Sequence, residues 1–422
     1  MTLLAAAFTF ADSVVAAGGI WLSSTNSLTY LGQQTNFGSG SITNPYYGDF
    51  DYIMGTKVPA NTVVHLGGGV FWTKGSCPAA NHITTIPSGV TIQGDGQEVT
   101  TIKRSSTFTN LNLTVLGSTN SGISVKDLTL DCNGSAYALN SWSNAIIGIE
   151  LTGSEETLEH VTDINGFGYA YGLSPEGFQL YIGEYGQAGN KVIGCTVSNF
   201  FGQYGDGVTA IGDCLIEGNH VFFTPQPAGV PQNSVFGINV VASSRGTLVI
   251  DNYVYGGKDG FHNDTGGDNN LVIANNVFEN VCVGVNLTGD QYPYNSVIIF
   301  HNLMTQQTNY TVFHDQMFVI QIGTTQTGQT NLNIVVDGNI VRYYKDVPFT
   351  SDGCQGGMYI YGGPNQLNKN LTIINNQIDA RMPVELGGNI SNLYATGNIP
   401  LNGTNFAVAN ENPGLTNFVL VP

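Results

Sequence analysis

The stretch "GGKDGFHNDTGGDNN", residues 256–270, sets one lysine, one histidine and three aspartates among glycine, asparagine and threonine. Carboxyl groups next to an imidazole are the parts of an acid–base site. Cleaving a glycosidic bond takes two carboxyls on one face, roughly 5 to 9 Å apart, one giving a proton to the leaving oxygen and one attacking or activating water. Asp264 supplies one such group, with Asp206 or Asp213 of "YGDGVTAIGD" as its partner and His262 to share the proton. "DTGG" also reads as a turn in which an aspartate bonds nearby amides. The other histidines, at 65, 82, 160, 220, 301 and 314, show no close or i, i+4 pairing of the kind that binds zinc, and read as turn or core residues.

These residues can meet only if something brings distant segments together, and an internal repeat does. The pattern apolar, any, apolar, two of any, Asn, any, apolar fits "LVIANNVF" around Asn276 and "LTIINNQI" around Asn376. It recurs around Asn219, Asn252, Asn302 and Asn339. Looser copies extend the key position to 128, 161, 195 and 398, in steps of 22 to 37 residues. Each copy is followed by a second alternating run, mostly opened by glycine: "GVTAI" from Gly207, "GINVV" from Gly237, "GFHNDT" from Gly260, "GVNLT" from Gly284. Alternation of period two means strand, and such a unit buries its apolar face only by stacking on its neighbours. The expected fold is all-β: a single-stranded right-handed parallel β-helix of about ten coils, a rod on the order of 50 Å long at about 4.8 Å per coil. The repeated asparagine, both donor and acceptor, can bond the backbone of a sharp bend and the asparagine one coil away.

Stacking turns the outward positions of the second runs into a column: Glu150, Gln179 and Tyr181, Thr209, Asn239, His262 and Asp264, Asn286, Gln321, Tyr359 and Tyr361, Glu385. Amides, hydroxyls and tyrosine rings at regular spacing suit the hydroxyls and ring faces of a polymer of sugars. The candidate catalytic residues are therefore Asp206, His262 and Asp264. The candidate substrate-binding residues are Tyr181, Asn239, Asn286, Gln321, Tyr359 and Tyr361.

Composition agrees and excludes much else. Fifty-five glycines and only 10% charged residues disfavour helices. Twelve basic against thirty acidic residues leave a net charge of −18, which repels nucleic acid and anionic lipid. No later stretch is long and apolar enough to insert in a membrane. The opening "MTLLAAAFTFADSVVAAGG" lacks the basic start of a signal peptide and reads as a short helix able to cover the end of a β stack. Six widely spaced cysteines include no C-x-x-C pair, so buried thiols with at most one or two disulfides are expected, and no metal site.

With "ANTVVHLGGGVFWTKG", "IPSGVTIQGDGQEVTTIKR" and "VKDLTLDCN", the repeat resembles the pectin lyase-like superfamily, in particular pectate lyase superfamily or glycoside hydrolase family 28-related proteins, over roughly residues 50–400. The resemblance implies a β-helix acting on polysaccharide outside the cell or at its surface. It does not select a reaction. Of the polygalacturonase signatures only Gly205-Asp206-Gly207 and Gly260-Phe261-His262 have counterparts. The lyase pattern with a calcium site and two arginines finds only Arg381 and Pro383. No cofactor is called for, and calcium alone is left open. Hydrolysis is preferred to elimination because basic residues are scarce; the rival is a non-catalytic glycan-binding or structural rod such as a tailspike, adhesin or filament subunit. Residues 1–50 are expected to form an N-terminal cap segment, 51–400 the β-helix, and 401–422 a capping or contact tail, with self-association through the coil ends as the route to an oligomer.

Overall fold

A computed structural model describes residues 19–75, 86–106, 113–134, 146–168, 179–202, 204–223, 234–241, 246–263, 267, 269–287, 292–306, 317–324, 328–342, 355–362, 367–379, 382–387, 389–400, 408–410 and 415–420. The chain is a right-handed parallel β-helix. Each full coil has three strands, one more than the two alternating runs read from the sequence. One coil comprises Asn269–Ala274, Val277–Val281 and Val283–Leu287; the next comprises Asn295–Phe300, Leu303–Gln306 and Met317–Thr324. Like strands pair in register, as in Leu271↔Val297, Phe278↔Met304 and Asn286↔Gln321. Three parallel sheets result, here called first, second and third in the order the chain visits them.

The extra strand arises because the repeat motif breaks at its centre. The residue before each key position is left-handed: Asp127, His160, Gly194, Gly218, Asp251, Asn275, His301, Gly338, Asn375 and Gly397 have φ between 52° and 66°. Aspartate, asparagine and glycine tolerate this conformation best, and it turns the chain from the first sheet into the second. The asparagine that follows closes the bend. Asn276 Nδ2 donates to Val249 O and to Asn302 Oδ1, both at 2.9 Å, while its Oδ1 accepts from Asn252 N and Nδ2, both at 2.9 Å. The same links run unbroken through Asn219, Asn252, Asn276, Asn302, Asn339, Asn376 and Asn398, all buried.

The core lies inside the three sheets. One column of it, Val221, Val254, Phe278, Met304, Val341 and Ile378, comes from the second sheet. It explains the glycines that open the third strands. A Cβ on Gly207, Gly237, Gly260 or Gly284 would meet Val221, Val254, Phe278 or Met304 at 2.4 to 2.5 Å. Those glycines thus let the backbone of the third sheet lie directly on the core.

At the N-terminal side the helix Phe50–Lys57 buries Phe50, Ile53 and Met54 in the same core, Phe50 against Phe71 of the first coil. The apolar opening of the sequence, residues 1–18, lies outside the described residues. At the other end, Val408–Asn410 pairs with the third sheet and Leu415–Leu420 with the first, Leu393 opposite Phe418. Part of the 401–422 segment is therefore built as a further coil. Cys132, Cys195, Cys214 and Cys282 are buried thiols not joined in a disulfide; Cys77 and Cys354 lie outside the described residues.

Candidate functional site

The third sheet holds the column read from the sequence. Register partners run Glu150↔Tyr181↔Thr209↔Asn239↔His262↔Asn286↔Gln321↔Tyr359↔Glu385. Its middle differs from an open, solvated face. Thr209, Asn239, Asn286 and Gln321 are buried, His262 is 12% exposed, and Tyr181 and Tyr359 are half-buried. The amides of Asn239 and Asn286 bond to the preceding coil instead of standing into water.

Their partners are two buried aspartates. Asp206 Oδ2 accepts from Thr209 Oγ1 and from Asn239 Nδ2, each at 2.8 Å. Asp259 Oδ2 lies 2.6 Å from His262 Nδ1 and accepts from Asn286 Nδ2 at 2.9 Å. The two aspartates hold the same register position two coils apart, with Phe236 between them. That places their backbones about 10 Å apart. The Phe236 ring stacks on the His262 imidazole, centroids 3.8 Å apart and planes within 5°, and holds it flat against the sheet.

Asp259 directly precedes the run "GFHNDT" read from the sequence. The third strand begins one residue earlier than its glycine, at Asp259. Ladder pairing skips Gly207, Gly237 and Gly260, so each chain bends there and alternation restarts on the far side. An aspartate and a residue three places on can then share one side of the sheet, which a straight strand forbids. A signal was present in the sequence: Asp-Gly stands at the bend of the third strand in two coils, at 206–207 and 259–260.

Asp259 Oδ1, Asn239 Oδ1 and Asn286 Oδ1 are buried acceptors with no donor among the described residues. Such groups cost free energy, and three of them lie along one short row. Toward the N-terminal end of the column, burial raises the pKa of Glu150, whose Oε2 accepts from Thr114 Oγ1 at 2.9 Å. Its register partner Tyr181 is raised too, by burial and then by the carboxylates of Glu150 and Glu184.

The structure thus brings Asp206, Asn239, His262 and Asn286 together and adds Asp259. Tyr181 lies at one end of the column; Gln321 and Tyr359 follow one another beyond Asn286, with Tyr359 stacked on Phe318 at 4.7 Å. Tyr361 is paired through its backbone with Gly323, but its side chain lies outside the described set. Asp264 lies outside the described residues altogether. Asp213, offered as an alternative partner, sits beyond the end of its strand, in the loop leading to the first sheet. Gln179, counted as outward, is buried. No cluster of three metal-binding side chains occurs among the described residues, and no described helix is long and apolar enough to cross a membrane.

Solved structures share this architecture. The pre-mature gene product 12 of bacteriophage phi29 superposes with a TM-score of 0.54 at 14% identity, covering 98% of this chain and 58% of that one. An N-terminal fragment of the same phage protein gives 0.52 at 15% identity over 98% and 74%. The Dettilon tailspike protein gp208 gives 0.50 at 14% identity over 86% and 64%. The chain therefore spans about three fifths of the length of the tailspike chain and of the pre-mature phi29 chain. At such identities the likeness is one of fold. No protein-family model and no curated protein matches the sequence.

Proposed function

We propose that this is an extracellular or cell-surface, carbohydrate-active β-helix of the pectin lyase-like kind, which binds a polysaccharide along the third sheet and hydrolyses its glycosidic bonds. The observation that carries the reading is the Asp259–His262 pair at the centre of the column, 2.6 Å apart, stacked on Phe236 and two coils from Asp206. A carboxylate that accepts the Nδ1 proton fixes the tautomer, so that Nε2 is the nitrogen that exchanges a proton with substrate or water.

In the proposed reaction His262 takes a proton from water. The water oxygen bonds the anomeric carbon, the bond to the leaving oxygen breaks, and a carboxyl returns a proton to that oxygen. Asp206, holding a proton when substrate binds, is the carboxyl for this step, with Asp264 as the further acid two residues beyond His262. The scheme is that of an inverting glycosidase, in which a water molecule fits between base and sugar. Asn239 and Asn286 act here as props for the carboxylates, while Tyr181, Gln321, Tyr359 and Tyr361 form the sugar-contacting part of the column.

The test is release of reducing ends from a panel of neutral and acidic polysaccharides by the full chain, beside Asp206→Asn, Asp259→Asn, His262→Gln and Asp264→Asn. Loss of one hundredfold or more in kcat for His262→Gln and Asp206→Asn, with retention of polymer in an affinity gel unchanged, is the expected result. Full activity in both variants would overturn the assignment of residues. Retention of intact polymer with neither reducing ends nor unsaturated products would establish the rod as a binder without cleavage, a role compatible with its likeness to a tailspike fold.

A further inference from the structure

A second site lies off the third sheet, at the corner where the chain returns to the first. A cavity of about 290 Å³ opens there across three successive coils, lined by Gly267, Asn269, Tyr292, Tyr294, Asn295 and Thr330, among others. Asn269 and Asn295 are register partners in the first sheet, and Leu332 of the next coil pairs with Asn295, so the floor is as regular as the sheet itself. Its wall is Tyr292, 50% exposed. That wall fits its place because position 267 is glycine: a Cβ there would meet Tyr292 Cβ at 2.7 Å, and the backbone is left-handed, φ +87°. Tyr294, buried behind the cavity, donates its hydroxyl proton to Asn263 Oδ1 at 3.0 Å, and Asn263 directly follows His262.

From this lining we infer that the corner cavity binds one pyranose ring of an uncharged glycan. An exposed tyrosine ring offers a face for the C–H side of a sugar, and two amides and a hydroxyl offer donors and acceptors to its rim. The volume is at the small end for ligand pockets and holds one ring. Every described lining side chain is uncharged, and the chain carries a net charge of −18, so among the described residues none compensates the carboxylate of a uronic acid. The inference goes beyond the proposed cleavage and stands for a rod that only binds.

The experiment is ligand-observed NMR and calorimetric titration of the full chain with methyl glycosides and trisaccharides of glucose, galactose, mannose and N-acetylglucosamine, and with their uronic counterparts. At least one neutral series is expected to bind. Tyr292→Ala should weaken it at least tenfold and Thr330→Val several-fold, while Tyr292→Phe retains it. His262→Gln, in the proposed cleavage site, should leave this binding unchanged, so the two sites fail separately. Tyr292 is half in solvent, and an unchanged melting profile for each variant confirms the fold. Binding by no neutral sugar, equal binding by Tyr292→Ala, or equal affinity for the uronic series would each overturn the inference.

Discussion

Replacing Asn276 by leucine tests the physical basis of the rod. The side chain is buried and makes four hydrogen bonds. Leucine keeps the branched heavy-atom skeleton, with bulkier ends, and removes all four. Asn252 N, one Asn252 Nδ2 hydrogen and Val249 O then lose their partner, whereas Asn302 Oδ1 keeps the bond from Asn276 N at 2.9 Å. At about 1 to 1.5 kcal/mol for each buried group left unpaired, the cost is about 4 kcal/mol. Stacked coils open locally, so the informative assay is native-state hydrogen exchange, not a single melting curve. Amides of Ile273 and Ile299 should lose about a thousandfold in protection, while those of coils near Val161 change little. The control is Asn333→Gly, in a second amide ladder that is exposed: Asn333 Nδ2 donates to Asn295 Oδ1 at 3.1 Å and Asn333 Oδ1 accepts from Asn370 Nδ2 at 2.8 Å. Water replaces those bonds, so about 1 kcal/mol or less is expected. Equal effects of the two substitutions would refute the claim that burial gives the inner ladder its weight.

Other consequences follow from buried groups. Glu156 is fully buried, accepts from Ile123 N at 3.0 Å, and is pushed by burial to a pKa of about 8. Folded protein therefore keeps a proton that unfolded chain releases near pH 4.5, so this residue's contribution falls as pH rises from about 4.5 to 8 and then levels; urea midpoints of Glu156→Gln should exceed wild type by a margin that grows across that window. Asp163, also raised by burial and 3.3 Å from the Cys132 thiol, should behave alike, Asp163→Asn stabilising at neutral pH and making little difference near pH 4. Burial pushes the Cys195 thiol to about 12, so Cys132, Cys195, Cys214 and Cys282 should resist alkylation at pH 8 until the chain is unfolded, as read by peptide mass mapping. Gly260→Ala puts a methyl 2.5 Å from Phe278 Cγ and should cost about 1 to 3 kcal/mol in denaturant titration.

The β-helix was legible because its strongest constraint repeats. An asparagine whose amide must pair with its copy one coil away cannot drift in type, and its spacing reports the coil directly. The three-strand coil was less visible for a specific reason. In the first sheet the outward column is also apolar, Leu248, Val272, Ile298 and Val335 in register, with Leu248 38% and Ile298 40% exposed. Alternation is blurred there, and "LVIANNVF" reads as one strand although Asn275 and Asn276 bend it. Asp259 was hidden in the same way. Period two assigns faces only while the strand is straight, and the corner at Gly260 moves Asp259 onto the side of His262. The cavity beside Tyr292 had no motif at all, since its lining is gathered from three coils.

The two buried aspartates resemble the ladder asparagines in taking hydrogen bonds across coils, yet the comparison separates them in kind. Asn276 satisfies both its donor and its acceptor, and its neighbours are more asparagines; the arrangement is closed. Asp206 and Asp259 interrupt their own column, which reads Asp206, Phe236, Asp259, Val283 in register. Phenylalanine and valine at the same position show that the corner itself needs no carboxylate. A pair of ionisable groups in a water-poor site is costly unless well paired, and asparagine would make most of the same bonds without the charge. Stability alone therefore gives no reason for aspartate at 206 and 259. The proposed chemistry gives one for each: Asp259 would orient the ring through Nδ1 and stabilise the imidazolium that forms when Nε2 takes a proton, and Asp206 would supply the proton to the leaving oxygen.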